Sequence, residues 1–224
     1  MKKTGVIFDL DGVIVDTAKY HFLAWKNLAD NLGFEFTETH NELLKGVSRV
    51  RSLEILLDIG KVSISEEKKQ EFLASKNEHY LEYINKMDAD EILPGASGLL
   101  DTLDGLGIKY VLGSASKNAP LILKQVGLFD RFAGIVDGNS VSKAKPDPEV
   151  FLIGAKKLNL KPENCIVFED AIAGIEAANK ANMISIGIGD KDVLSKADFN
   201  FNNLTEISSS FIKELMIRKE KKEQ

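Results

Sequence analysis

Two aspartates separated by one residue, Asp9 and Asp11, stand near the start of the chain and are followed by Gly12. They come directly after the short apolar run at residues 6–8, which is typical of a buried parallel strand. In open α/β sheets, ligands bind at the carboxyl ends of the strands, where both carboxylates can face one crevice. Gly12 permits a sharp turn, although a plain Asp-Gly turn would show the same pattern.

Three further groups of reactive side chains follow later apolar runs. Ser114 follows the second run, Lys145 the third, and Glu169–Asp170 the fourth. A hydroxyl at a strand-to-helix junction can bind phosphate oxygens, and a lysine ammonium can neutralise a transferring phosphoryl group. Paired acids can complete an oxygen-ligand site for Mg²⁺ together with Asp9. Each group alone could be a cap, a turn or a surface charge, but together they predict one site of phosphoryl transfer.

The elements that must position these residues are strands alternating with helices. Helical spacing of apolar residues recurs between most of the strand-like runs, for example at residues 96–106. This alternation predicts an α/β fold with a doubly wound, mostly parallel (Rossmann-like) sheet. The five predicted strands lie at residues 6–8, 109–112, 134–136, 165–168 and 183–186.

One long segment breaks the alternation. Roughly 100 residues separate the first run from the second, far more than a crossover needs. Its pattern is almost wholly helical, with His21, Trp25 and Leu28 on one helix face and a second amphipathic segment at 72–84. We therefore predict a helical cap domain. Its predicted bounds are 17–90, and the core domain then comprises residues 1–16 and 91–224.

Two local signals predict helix starts in the second half of the chain. Asp147 is followed by Pro148 and an acid, which predicts a helix with Asp147 as its N-cap. Asn203 with Glu206 three residues later is close to a capping box and predicts the start of the last helix.

Composition narrows the class of protein. The 224 residues carry a net charge of -5, which argues against nucleic acid as the main partner but allows small phosphorylated substrates. The single cysteine, Cys165, lies in an apolar run and favours a buried strand residue in a reducing compartment. No apolar run approaches the length of a membrane span, and we expect no signal peptide because the first apolar stretch, ended by Asp9, is too short for a signal peptide core. We expect a cytoplasmic monomer.

With its four groups in this order, the chain resembles the haloacid dehalogenase superfamily of phosphotransferases, whose members with a C1-type cap carry a helical insert in the same place. The resemblance covers essentially the whole chain. It implies that Asp9 attacks phosphorus to form an aspartyl phosphate and that Asp11 is the general acid and base. It also implies Mg²⁺ on the Asp9 carboxylate, the Asp11 backbone carbonyl and Asp170, with Glu169 as a ligand or a partner of one. The matching residues are Asp9-x-Asp11-Gly12, Ser114, Lys145 and Glu169–Asp170.

Within that superfamily, segments 16–26, 44–49 and 114–118 resemble the β-phosphoglucomutases, as does the pair Lys76–Asn77. Those enzymes interconvert β-glucose 1-phosphate and glucose 6-phosphate, with β-glucose 1,6-bisphosphate as phosphoryl donor and intermediate. The substrate-binding residues that this resemblance implies are Thr17, His21, Trp25, Gly46, Val47, Ser48, Arg49, Lys76, Ala115, Ser116, Lys117 and Asn118.

The phosphomutase reaction explains why a cap with such residues would be needed. A mutase holds a bisphosphate in two orientations, so it needs a second phosphate site away from Asp9. Arg49, together with residues 116–118, is the candidate, because a planar guanidinium binds phosphate bidentately. Binding of that remote phosphate can drive cap closure and exclude water.

Plainer roles remain open for the same residues. Gly46 could be a helix C-cap, Ser48 an N-cap and His21 a packed core histidine, while Arg49 and Lys76 could be solvated charges. A sugar-phosphate phosphatase with the same core is the alternative function. A phosphonatase would need a cap lysine for a Schiff base. An inactive binding module would not need the intact acidic residues.

Overall fold

The computed structural model describes residues 4–221 of the chain. Its centre is a six-stranded sheet in the order β3-β2-β1-β4-β5-β6, in which every neighbouring pair is parallel. The strands are β1 (Gly5–Phe8), β2 (Tyr110–Gly113), β3 (Ile135–Val136), β4 (Cys165–Glu169), β5 (Ile184–Ile188) and β6 (Phe199–Phe201).

Nine α-helices occur in the described residues. Helices α1 to α4 follow β1 directly, and the other five alternate with or follow the remaining strands. They are α1 (Ala18–Leu32), α2 (Glu38–Glu42), α3 (Arg49–Gly60), α4 (Glu66–Ile84), α5 (Ala96–Gly105), α6 (Ala119–Gln125), α7 (Glu149–Leu158), α8 (Ile172–Lys180) and α9 (Ser209–Lys221). No helix in this part of the chain is long and apolar enough to cross a membrane.

The sheet is covered on both faces, which is why its strands are continuous apolar runs. Val6 and Phe8 of β1 pack in a cluster that contains Leu99 of α5, whereas Ile7 packs in a second cluster with Phe151 of α7. Successive side chains of a strand point to opposite faces, so one short run supplies both clusters. The predicted doubly wound parallel sheet is confirmed.

The helical insert has an apolar cluster of its own. Trp25 of α1, Leu53 of α3 and Leu73 of α4 are buried together there, with other residues of α1 to α4. The chain enters and leaves the insert through two paired segments: Asp16 N donates to the Glu91 carbonyl at 2.9 Å. The predicted helical cap between the first two strands is confirmed, while its bounds at 17 and 90 stay a prediction.

Three local predictions are corrected. The sixth strand, Phe199–Phe201, was not predicted because it is only three residues long and has a polar centre. Pro148, not Asp147, occupies the N-cap of α7, and Asp147 Oδ1 instead accepts from Glu149 N at 3.0 Å. Asn203 caps only a short 3₁₀ turn, Leu204–Glu206, and the last helix begins at Ser209.

Candidate active site

A cavity of about 540 Å³ lies between the cap helices and the carboxyl ends of the strands. Every predicted site residue lines it except Thr17 and Glu169. Both of these are fully buried and bond directly to lining residues, Thr17 to Asp11 and Glu169 to Lys145. The structure therefore brings the four groups of the core and the predicted cap residues to one place.

A buried lysine joins two buried carboxylates at the floor of the cavity. Lys145 Nζ donates to Asp9 Oδ1 at 2.7 Å and to Glu169 Oε1 at 3.1 Å. The carboxylates are neighbours because β1 and β4 are adjacent, with Phe8 in register with Phe168. Burial alone would lower the pKa of Lys145, but the charges and hydrogen bonds of Asp9 and Glu169 outweigh it and raise the pKa. Lys145 therefore stays charged and offsets the negative charge around Asp9.

Three carboxylates form a candidate metal site beside this lysine. Asp9, Glu169 and Asp170 each offer an oxygen, and these oxygens lie within 4.8 Å of one another. Gly12 has a φ of 78°, and a β-carbon there would collide with the Asp170 carboxylate, so glycine is required. An all-oxygen donor set suits Mg²⁺, and a bound cation would offset the negative charge of the three neighbouring carboxylates.

The pKa values of the cluster reflect that crowding. Burial, followed by the charge of Asp9, raises the pKa of Asp170 to about 7. The same two causes raise the pKa of Glu169 well above its ordinary value. A bound divalent cation would favour the ionised forms and reverse both shifts.

This shift of the Asp170 pKa leads to a prediction about metal binding. A proton on Asp170 competes with Mg²⁺, so the apparent Mg²⁺ affinity should rise with pH by up to about tenfold per unit below about pH 7, then level off. Calorimetric titration in buffers of different ionisation enthalpy measures both the affinity and the protons released. Asp190→Asn, at an exposed carboxylate outside this cavity, is the matched control. Equal affinity at pH 6 and 8 without proton release would contradict the prediction.

A chain of polar contacts runs from Asp11 into the cap. The Thr17 hydroxyl donates to Asp11 Oδ1, and His21 Nε2 lies 3.9 Å from the same oxygen. On its other side, His21 Nδ1 lies 2.8 Å from Lys76 Nζ. Burial, with the charge of Asp9, raises the pKa of Asp11 to about 6. The Thr17 hydrogen bond and the charges of Lys145 and Lys76 lower this pKa, but by less. A carboxyl group with such a pKa can both give and accept a proton near neutral pH.

The sequence alone allowed Lys76 to be a solvated charge, but the structure buries its side chain. Its side chain is 2% exposed, and Nζ lies 4.7 Å from the centre of the Trp25 ring and 4.5 Å from that of Tyr80. Burial and the charge of Arg49 lower the pKa of Lys76 well below its ordinary value. Burial, followed by the charges of Lys76 and Arg49, lowers the pKa of His21 in the same way. Tyr80, which also stacks on His21 at 4.1 Å, was not predicted as a site residue. Its position four residues after Lys76, on the same helix face, was the available signal.

The cap loop at 44–49 combines structural and cavity-lining roles. Ser48 is the N-cap of α3 and accepts from Arg51 N at 3.3 Å, as its plainer interpretation required. Gly46 is not a helix C-cap, because α2 ends at Glu42 and Leu43 follows it. A β-carbon at Gly46, whose φ is 71°, would lie 2.7 Å from Ala171 Cβ of the core. The glycine therefore allows this loop to approach the core closely.

The loop after β2 is held in shape by its own hydroxyls. Ser114 Oγ accepts from Ser116 N at 3.0 Å, and Ser116 Oγ accepts from Asn118 N at 3.2 Å. Ser114 is fully buried, and Lys117 is exposed. Several further residues that line the cavity were not predicted: Asn41, Ser52, Gln70, Asn77, Ser142 and Lys143.

Fold and site together define a class. The site combines a carboxylate at the end of the first strand with a buried lysine and a candidate acidic metal site under a helical cap. These features define a phosphoryl-transfer enzyme, and its carboxylate oxygens are ligands that suit Mg²⁺. A sequence model of the haloacid dehalogenase-like hydrolases matches residues 3–182. The chain belongs to the haloacid dehalogenase-like hydrolase family.

Individual relatives are similar over most of the chain. A β-phosphoglucomutase of Bacillus subtilis (strain 168) is 41% identical over 211 residues, covering 93% of both chains. A phosphorylated carbohydrates phosphatase of Thermotoga maritima is 30% identical over 180 residues, covering 80% of this chain and 81% of the relative. The crystal structure of a β-phosphoglucomutase from Clostridium difficile superposes with a TM-score of 0.90 at 43% identity, covering 95% of this chain and 96% of that one.

Proposed function

We propose that the protein interconverts β-D-glucose 1-phosphate and glucose 6-phosphate, the β-phosphoglucomutase reaction. One observation carries the proposal: a single cavity is lined by Asp9 and Asp170 of the core and also by Arg49 of the cap with residues 116–118. A phosphomutase needs two phosphate sites in one cavity, and these two groups of residues supply them. The similarity to β-phosphoglucomutases over nearly the whole chain supports the same conclusion.

In the proposed reaction, an oxygen of Asp9 attacks phosphorus, and the phosphorus–oxygen bond to the sugar breaks. Asp11 gives a proton to the departing sugar oxygen and takes one from the attacking hydroxyl in the reverse transfer. Lys145 and the Ser114 hydroxyl hold the transferring oxygens. The Asp9 and Asp170 carboxylates and the Asp11 carbonyl would hold Mg²⁺, with Glu169 as a ligand or a partner of one, and the ion would supply neutralising positive charge.

The proposed cycle passes through β-glucose 1,6-bisphosphate. Phosphorylated Asp9 transfers its group to the free hydroxyl of a glucose monophosphate, and the bisphosphate then turns so that its other phosphate faces Asp9. Arg49 and residues 116–118 hold whichever phosphate is remote. Binding there favours a closed cap, which keeps water from the aspartyl phosphate.

A sugar-phosphate phosphatase is the second candidate, and the Thermotoga maritima relative supports it. Such an enzyme shares the first step but passes the phosphoryl group to water. Small sugar phosphates are the proposed partners in either case. A monomer with a cap at residues 17–90 and no nucleic-acid partner completes the proposal.

A coupled assay separates the two candidates. Purified protein receives Mg²⁺, β-glucose 1-phosphate and a trace of β-glucose 1,6-bisphosphate, and both glucose 6-phosphate and free phosphate are followed. We expect glucose 6-phosphate from the β anomer and little free phosphate, with the α anomer as a stereochemical control. Free phosphate without glucose 6-phosphate would make the protein a phosphatase.

Arg49→Ala tests the second phosphate site. Arg49 is half-buried at the cavity wall, and removing its charged hydrogen bonds should lower kcat/KM for the mutase reaction by about 10- to 100-fold. Hydrolysis of acetyl phosphate, which has no remote phosphate, should fall much less. The matched control is Arg51→Ala, because Arg51 is on the same helix but is exposed and paired with Glu54 at 2.8 Å. Equal losses in both reactions would assign Arg49 to the shared chemistry or to folding.

A further inference from the structure

An asparagine at the start of α6 does not cap its helix. Asn118 occupies the N-cap of α6, where an asparagine side chain usually accepts from the first turn, but it makes no such bond. Pro120, within that first turn, has no N–H to offer. Instead, Asn118 Nδ2 donates to Asn77 Oδ1 at 3.0 Å. The Asn118 side chain therefore bonds to a residue 41 positions earlier in the chain.

This amide pair joins the cap to the core at the cavity wall. Asn77 lies on α4 of the cap, and Asn118 ends the loop that begins at Ser114. Both asparagines line the cavity. The backbone of Asn118 is fixed by the Ser116 hydroxyl, so the core side of the pair is rigidly placed. The hydrogen bond forms only while α4 lies against the start of α6.

The pair also retains unused hydrogen-bonding capacity. An asparagine amide offers two N–H donors and an oxygen acceptor, and the Asn77–Asn118 bond uses one of each. Among the side chains that the structure describes, none bonds to Asn118 Oδ1 or to Asn77 Nδ2. A hydroxyl group both donates and accepts, so one hydroxyl can satisfy this acceptor and this donor together, whereas an ionised phosphate oxygen only accepts.

We propose that Asn77 is a specificity-determining residue: its amide, paired with that of Asn118, ties the cap to the core and binds one hydroxyl of the sugar ring. The inference rests on the proposed function for the identity of the sugar phosphate. It assigns recognition of one sugar hydroxyl to Asn77 Nδ2 and Asn118 Oδ1, while the remote phosphate stays with Arg49 and residues 116–118, for which the second N–H of Asn118 Nδ2 is available.

The test compares three variants by ligand binding. Asn77→Ala removes the donor and the acceptor, and Asn77→Asp keeps an acceptor oxygen but removes the donor. Gln125→Ala is the matched control, because Gln125 Nε2 of α6 donates to the Asn85 carbonyl beyond α4 at 3.3 Å, and neither residue lines the cavity. Trp25 is the single tryptophan and lines the cavity, so its fluorescence reports binding without turnover.

Asn77→Ala should weaken binding of glucose 6-phosphate by about three- to tenfold, the effect of one or two neutral hydrogen bonds. Its loss for inorganic phosphate should be smaller. Asn77→Asp should bind glucose 6-phosphate no better than Asn77→Ala, because it lacks the donor and adds a negative charge to the cavity wall, and Gln125→Ala should bind like the wild type. Equal losses for both ligands, no loss, or an equal effect of Gln125→Ala would overturn the proposal. Turnover is measured separately. A wild type that binds glucose 6-phosphate without converting it would contradict the mutase proposal, while the titrations would still decide the role of Asn77.

Discussion

Asp9→Asn should abolish turnover, with kcat falling by at least about 10⁴-fold. The amide is nearly isosteric with the carboxylate, but it is a poor nucleophile and cannot form an acyl phosphate. The substitution also leaves Lys145 with one carboxylate partner, Glu169, at 3.1 Å. The measurement is steady-state conversion of β-glucose 1-phosphate, together with mass spectrometry of the protein after exposure to a small phosphoryl donor.

Folding and nucleophile identity are controlled separately in this experiment. The melting temperature shows whether the variant retains its fold. The wild type should gain one phosphoryl group on the peptide that contains Asp9, and the variant should gain none there. A rate within about tenfold of the wild type, or a phosphoryl group on another residue, would show that Asp9 is not the nucleophile.

Asp11→Ala should lower kcat by about 10² to 10⁴-fold while changing ligand affinity much less. Asp11 carries a carboxyl with a pKa raised to about 6, bonded to Thr17 and near His21, as proton transfer to a sugar oxygen requires. The carboxylate cluster of Asp9, Glu169 and Asp170 does not include the Asp11 side chain, so metal binding should persist. Steady-state kinetics and glucose 6-phosphate titration measure the two effects.

The alanine variant also leaves the buried Thr17 hydroxyl without its acceptor, at a cost of about 1–3 kcal/mol in stability. Asp11→Asn keeps an acceptor oxygen for Thr17 and therefore isolates the proton-transfer role. Asp16→Ala, at a 45% exposed carboxylate 3.7 Å from Lys19, is the control on the same stretch of chain. Near-normal turnover by both Asp11 variants would rule out the assigned role.

The sequence by itself determined the fold class and the chemical residues of the core. Parallel strands that are buried on both faces leave short apolar runs, and helices leave a 3.6-residue spacing, so both are readable locally. The reactive residues followed those runs, and the carboxyl ends of parallel strands meet at one edge. For that reason Asp9, Ser114, Lys145 and Asp170 could be assigned to one site before any distance was known.

Local sequence patterns predicted secondary structure less well where a segment was very short or where one pattern fits several kinds of turn. The strand Phe199–Phe201 is too short to show a period, and it forms because β5 offers a free edge. Asn203 and Glu206 carry the spacing of a helix start, but the structure uses Asn203 to close a single 3₁₀ turn. A capping pattern describes a few donors and acceptors, and several turns can satisfy them equally well.

The tertiary structure alone decided which side chains meet and how far they are buried. Lys145 bonds to Asp9 across 136 residues because the sheet order places β1 next to β4 and the loop after β3 reaches over them. Lys76 is an ordinary charge in the sequence, yet packing between two aromatic rings removes it from water. The Asn77–Asn118 bond likewise depends on where the cap lies over the core. The spacing of residues along the chain reports local geometry. Burial, pKa shifts and cap–core contacts depend instead on how elements that are distant in the sequence pack against one another.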